Sequence, residues 1–172
     1  MPIFVGEWQE FRLYDLFFLD SGNKLDKRKA QEYDGTEINL IGRSRNNNGI
    51  VGQCLQIPNL NMYPAGYLTL PLGGRYLGSC YVQNKSFYTT QNVIVLIPKE
   101  EMTINQKQFI SSIVFKEAQL HYEAFTNELN RHIKTDFKIK LPVDLQGNPD
   151  WQYMDQYITW ITKYAKNKLL VL

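Results

Sequence analysis

The sequence predicts an α+β fold: a curled, mostly antiparallel sheet or partial barrel with flanking helices and a C-terminal interface helix. Three observations predict it. Between residues 37 and 97 short β-like runs are punctuated by glycine and asparagine, the spacing of an antiparallel sheet. After residue 103 apolar side chains recur at helical spacing instead. The chain then closes on a segment with more apolar surface than one helix face needs. With 172 residues at 44% apolar content, one compact core is expected.

Taken in order, WQEFRLYDLFFLD (8–20) reads as a strand and then a helical turn, with Trp8, Phe11, Leu13, Leu16 and Phe17 inward. SGNKLDKRKAQEYDG (21–35) is a polar loop bearing Lys24, Lys27, Arg28 and Lys29, a basic cluster that is either solvated or in contact with phosphate. Strand-like runs follow at Glu37–Ile41, Ile50–Gln53, Tyr67–Leu72, Ser79–Gln83 and Phe87–Ile97, the last broken near Gln91-Asn92. Turns fall at Asn46–Gly49, Gly73-Gly74 and Asn84.

Thr103 and Gln106 have the spacing of a capping box, and Phe109, Ile110, Ile113, Val114, Ala118 and Leu120 continue as a helix. A short strand, Phe137–Leu141, leads to the loop PVDLQGNPDW, where Asn148 suits an N-cap and Pro149 the first helical position. The last helix spans about Asp150 to Asn167. Trp151, Met154, Ile158, Ile161 and Ala165 form one stripe; Tyr153, Tyr157, Trp160 and Tyr164 form a second, about 100° around it. Either both stripes pack within the domain or a partner helix covers the second.

Composition excludes several classes. The two cysteines, Cys54 and Cys80, lack a pairing or metal motif and read as reduced thiols of a cytoplasmic protein. Met1-Pro2 opens no signal peptide, and runs such as Val93–Ile97 fall far short of the ~20 residues of a membrane span. The net charge of +2, from 19 basic and 17 acidic residues, neither supports nor excludes a polyanion partner.

Enzymatic constellations are scarce. There is no GxSxG elbow or phosphate-binding P-loop, and LGGRYLG (72–78) has neither GxGxxG spacing nor a following helix. His121 and His132 carry no zinc-site grouping, so no metal is expected. No carboxylate pair stands out as acid and base. NPDW (148–151) superficially resembles the Asn-Pro-Pro-Tyr motif of amino-methyltransferases, but the second proline is absent and the segment reads as a helix start.

What remains are polar side chains on a sheet scaffold. Arginine is the usual bidentate partner of guanine, and asparagine and glutamine suit adenine. Such residues populate the loops: Arg43, Arg45, Asn46, Asn47 and Asn48, Arg75 beside Tyr76, then Gln83, Lys85 and Gln91. A turn needs little more than Asn48-Gly49, so the flanking amides and arginines are surplus to it. On pattern alone, GRSRNNNGIVGQ (42–53) is equally an ordinary polar turn or a nucleic-acid reader.

The ordered landmarks resemble the target recognition domain of restriction–modification specificity subunits, the DNA-reading module of Type I systems and related enzymes. The resemblance lies in FRLYDLFFLDSGNKL (11–25), INLIGRSRNNNGIVG (38–52), YPAGYLTLPLGGRYLGSCYVQNKSFYTTQNVIVLIP (63–98) and LPVDLQGNPDWQYMDQYI (141–158), the last leading into the family's spacer helix. Such subunits usually carry two recognition domains joined by long helices. This chain has one domain and one short helix, the form of a half-subunit or of a separate or excised domain.

The resemblance implies sequence-specific recognition of double-stranded DNA by a non-catalytic specificity subunit. Its partners would be a DNA methyltransferase subunit and, where cleavage is coupled to DNA methylation, a restriction subunit. S-adenosylmethionine would sit on the methyltransferase, so no cofactor is assigned to this chain. A homodimer or a second recognition half would complete a bipartite site. Residues 1–149 would form the recognition domain and 150–172 a contact helix, with Tyr153, Tyr157, Trp160 and Tyr164 at the interface. The family's reading residues vary with target, so side-chain chemistry nominates them. Arg43, Arg45, Asn46, Asn47, Arg75, Gln83 and Gln91 are assigned to base edges, and Lys24, Lys27, Arg28 and Lys85 to phosphates. Asn48 and Gly49 are assigned to turn geometry. The rival readings are a β-rich module binding carbohydrate or another ligand, and an enzyme with an unmarked site.

Overall fold

The expected strands all form, and among the described residues they divide among three small sheets without closing a barrel. The structure, a computed structural model, describes residues 7–169. The Met1-Pro2 reading and the last three residues of the expected contact helix lie outside the described residues. Strand β1 (Trp8–Arg12), the single helical turn α1 (Leu13–Leu16) and β2 (Phe17–Asp20) open the fold. Within the basic loop a short helix, α2 (Lys27–Gln31), starts on Asp26, whose carboxylate accepts the Arg28 amide at 2.8 Å. Then come β3 (Asp34–Ile41), β4 (Ile50–Cys54), β5 (Leu68–Pro71), β6 (Tyr81–Val82), β7 (Phe87–Thr89) and β8 (Val93–Pro98). Helix α3 (Ile104–His121), β9 (Lys138–Pro142) and helix α4 (Trp151–Leu169) complete the chain.

The central sheet runs β2-β8-β5-β6, antiparallel throughout, and β1 pairs antiparallel with β9. In the third sheet β3 pairs antiparallel with β4 but parallel with β7. Alternation along β8 explains the layering. Ile94 and Leu96 join the main core with Ile110, Val114 and Ala118 of α3, whereas Val93 and Val95 pack with Ile41 and Phe87 of the third sheet. Covered on both faces, β8 reads in sequence as an unbroken apolar run, and β5 is fully buried with Thr69 as its one polar residue.

Both capping-box bonds of α3 are present: Thr103 Oγ1 accepts the Gln106 amide at 3.1 Å, and Gln106 Oε1 accepts the Thr103 amide at 2.8 Å. The start of α4 corrects the expectation. Asp150, not Asn148, is the cap, since its carboxylate accepts the Tyr153 amide at 2.9 Å. The preceding loop is fixed differently: Asp144 accepts the amides of Gln146 and Asn148, each at 2.9 Å, and Pro149 bridges to Val143. Proline therefore sits before the cap rather than inside the helix. Among the described residues no helix is long and apolar enough to cross a membrane.

Candidate nucleic-acid interface

The parallel pairing of β3 with β7 decides where the polar loops meet. Ile41 lies opposite Thr89, so the loops after both strands leave from one edge of the sheet. The Thr90 amide donates to the Ile41 carbonyl at 2.8 Å. Leu25 donates to Thr89 at 2.9 Å and carries the basic segment to the same edge. Leu72 donates to Asn92 at 3.0 Å and brings the LGGRYLG loop beside it.

At this edge the Gly42 amide donates to the Gly49 carbonyl at 2.9 Å and closes the loop 43–48. Asn47 (φ 46°), Asn48 (φ 52°) and Gly49 (φ 82°) are all left-handed, a conformation that asparagine and glycine tolerate better than other residues. The Ile50 amide donates to the Asn47 carbonyl around Asn48-Gly49, as in a turn with two positive-φ central residues. Asn48 and Gly49 thus have the geometric role expected, and Asn47 shares it.

The loop is held from beneath. The Tyr81 hydroxyl donates to the Arg45 carbonyl at 3.0 Å, and Gln83 Nε2 donates to the Asn48 carbonyl at 3.0 Å and to Thr69 Oγ1 at 2.8 Å. This corrects the assignment of Gln83 to a base edge. It is 1% exposed; its Nε2 is spent inside the frame and its Oε1 is buried without a partner among the described residues. Arg45 is also committed: Nε donates to Ser79 Oγ at 3.3 Å, Nη2 donates to Gln119 Oε1 at 2.8 Å, and the guanidinium lies 5.2 Å from the Phe115 ring centre. Gln119 donates in turn to the Leu77 carbonyl at 2.9 Å, so it ties the asparagine loop to the glycine loop. Sequence reasoning passed over Tyr81, Ser79 and Gln119. The alternation Ser79, Tyr81, Gln83 on one strand face was the available signal for the first two, and nothing local marks Gln119.

The other nominated readers face outward. Asn46 and Asn47 are exposed, and their side-chain amides make no hydrogen bond to any of the described residues. Arg43 reaches past Gly74 and lines a groove of about 400 Å³ with Lys27, Thr90 and Gln91. Arg75 is exposed and stacks on its neighbour, with the guanidinium 5.9 Å from the Tyr76 ring centre. Lys24, Lys27 and Arg28 border this edge without an ion pair among the described residues. Lys85 precedes β7 and lies at the opposite end of the strand pair, apart from the others.

Among the described residues no group of His, Cys, Asp and Glu could hold a metal. His132 is braced between Asp136 at 2.9 Å and Asn127 at 3.0 Å, and the Thr135 hydroxyl with His132 holds the Asp136 carboxyl below its usual range. Both cysteines are buried, and burial pushes the Cys80 thiol up to about 12.

On α4 the aromatic stripe forms a ladder, with ring centres 5.8 Å apart for Tyr153–Tyr157, 6.4 Å for Tyr157–Trp160 and 5.5 Å for Trp160–Tyr164. Its lower rungs rest on the domain, with Tyr157 edge-on to Phe109 at 5.7 Å. Its top rung, Tyr164, is 53% exposed. Met154 of the other stripe is buried, whereas Ile161 and Ala165 are exposed.

Outward amides and cations on a pinned loop frame, with a docked helix running on past the domain, define a recognition module. The chain belongs to the family of Type I restriction modification DNA specificity domains, whose model matches residues 6–171. It is 28% identical over 156 residues to the specificity subunit S.BcgI of a Type II restriction enzyme from Heyndrickxia coagulans, covering 90% of this chain and 44% of that protein. Its fold is similar to the S subunit of a Type I restriction–modification system from M. genitalium, with TM-score 0.63, 14% identity, and 95% of this chain against 42% of that one. It is also similar to the HsdS subunit of Thermoanaerobacter tengcongensis, with TM-score 0.61, 14% identity, and 97% of this chain against 40% of that one. The chain thus spans less than half the length of these relatives.

Proposed function

We propose that this chain recognises a specific sequence in double-stranded DNA and directs a partner methyltransferase to it. The observation that carries the reading is the division of labour at the loop edge. Gln83, Tyr81 and Arg45 fix the backbone, and Arg43, Asn46, Asn47, Arg75 and Gln91 are left facing solvent. Bidentate side chains presented from a rigid frame suit base edges in the major groove, and the unpaired Lys24, Lys27 and Arg28 beside them suit phosphates. Membership of the DNA specificity family supports the same reading.

Residues 1–149 would serve as the recognition unit and 150–172 as the contact helix, with Trp160 and Tyr164 meeting the methyltransferase subunit or another recognition half. Chemistry would reside on the partner, together with S-adenosylmethionine. Co-expression with candidate DNA methyltransferase subunits, followed by base-resolved methylation mapping, tests the proposal. A new methylated sequence that depends on this chain is expected. An unchanged pattern with every candidate contradicts it.

A further inference from the structure

We infer that Phe125 is a DNA-stacking wedge, held beside the arginine rim by Glu128. The inference rests on the DNA reading above and adds a contact that lies in none of the loops nominated so far. After α3 the chain doubles back through a tight hairpin, closed by Glu123 and Asn127 with paired backbone bonds of 3.0 Å. Phe125 sits at its tip, 83% exposed, at φ +69°. A bulky aromatic is disfavoured in that conformation, and glycine or asparagine would make the same turn with less strain. Among the described residues the ring makes no aromatic or cation–π contact.

What surrounds the ring gives it a use. Glu128 Oε1 accepts the Phe125 amide at 3.3 Å and the Gly74 amide at 2.6 Å. One carboxylate therefore clamps the hairpin tip to the loop that carries Arg75. A Cβ at Gly73 would run into that carboxylate, which accounts for glycine there. Arg43 lies alongside Gly74, and Arg131 lines a cleft of about 240 Å³ with Phe125. Arg43 and Arg131 have no ion pair among the described residues. An exposed apolar ring with Arg131 in its cleft, tied through Glu128 to the loop that carries Arg75 and that Arg43 approaches at Gly74, suits the surface of DNA, where cations meet phosphates and an apolar side chain enters an opened base step. An acidic protein surface would satisfy the arginines but would offer the ring no stacked bases.

The test begins with selection of a preferred site by the chain from a random-sequence duplex library. 2-Aminopurine is then placed at successive positions of the enriched duplex. The wild-type chain is expected to raise fluorescence at one step, where a base unstacks. Phe125→Ala should abolish that rise and weaken binding about tenfold with its melting temperature unchanged, and Phe125→Trp should keep the rise. Glu128→Gln should reduce the rise, because the wedge loses its clamp. A full rise with Phe125→Ala overturns the inference and leaves the DNA reading standing. Failure of the wild-type chain to enrich any sequence overturns both. Unchanged duplex binding by Phe125→Ala with loss of methyltransferase-subunit binding would reassign the ring to a protein contact and overturn the wedge.

Discussion

The loop edge and the C-terminal helix both expose side chains, but they are held in opposite ways. At the loop edge the backbone beside Asn46, Asn47 and Arg75 is pinned from below, by Tyr81 at Arg45, Gln83 at Asn48 and Glu128 at Gly74. Helix α4 is tied down only along its first turns. Thr103 Oγ1 donates to Asp155 at 2.5 Å, Asn105 donates to Thr159 Oγ1 at 2.9 Å, and Gln106 donates to the Trp151 carbonyl at 3.2 Å. From Ile161 to Leu169 every residue is exposed. Hydrogen-bond readout needs groups fixed before the partner arrives, since ordering them on contact would subtract from affinity. An assembly surface needs apolar area on a stiff rod, which the helix backbone supplies by itself.

Two substitutions probe that contrast. The larger effect is expected for Gln83→Leu, which leaves the Asn48 carbonyl and Thr69 hydroxyl without their buried donor. Chemical denaturation should show a loss of about 1–3 kcal/mol. A loss no greater than that of a surface substitution would mean that the loop is not held by its frame. Tyr164→Ala should sit at the other extreme. It is expected to change stability by less than about 0.5 kcal/mol, because the ring stacks only along its own helix, while weakening association with a second copy or a methyltransferase subunit in analytical ultracentrifugation. Marked destabilisation of the isolated chain would show that the ladder serves the domain instead.

Much of this was legible in the residues. The strand series broken near Gln91-Asn92, the capping box at Thr103–Gln106 and the turn at Asn48-Gly49 each follow from local rules, and each is present. The cap of α4 was misplaced because Asn148 and Asp150 are both competent caps, and only the bonding of the 144–149 loop separates them. At the site, residue type correctly marked the loops but could not separate outward side chains from braces. Arg43 and Arg45 look alike in sequence, and their fates differ because Ser79, Gln119 and Phe115 arrive from distant segments. Glu128 and Phe125 carry no sequence signal at all, since their pairing with Gly74 is a tertiary contact.

The central claim is that outward residues of the loop edge read bases while the neighbouring cations grip phosphates. Selection from a random duplex library with Arg43→Ala and Lys27→Ala, each beside the wild-type chain, tests it most directly. Arg43→Ala should lose preference at one base pair, a change of about 1–3 kcal/mol, and keep the remainder of the selected sequence. Lys27→Ala should select the same sequence with weaker binding to all duplexes and a shallower salt dependence. Uniform loss over every sequence with Arg43→Ala, its base preferences intact, would contradict the account.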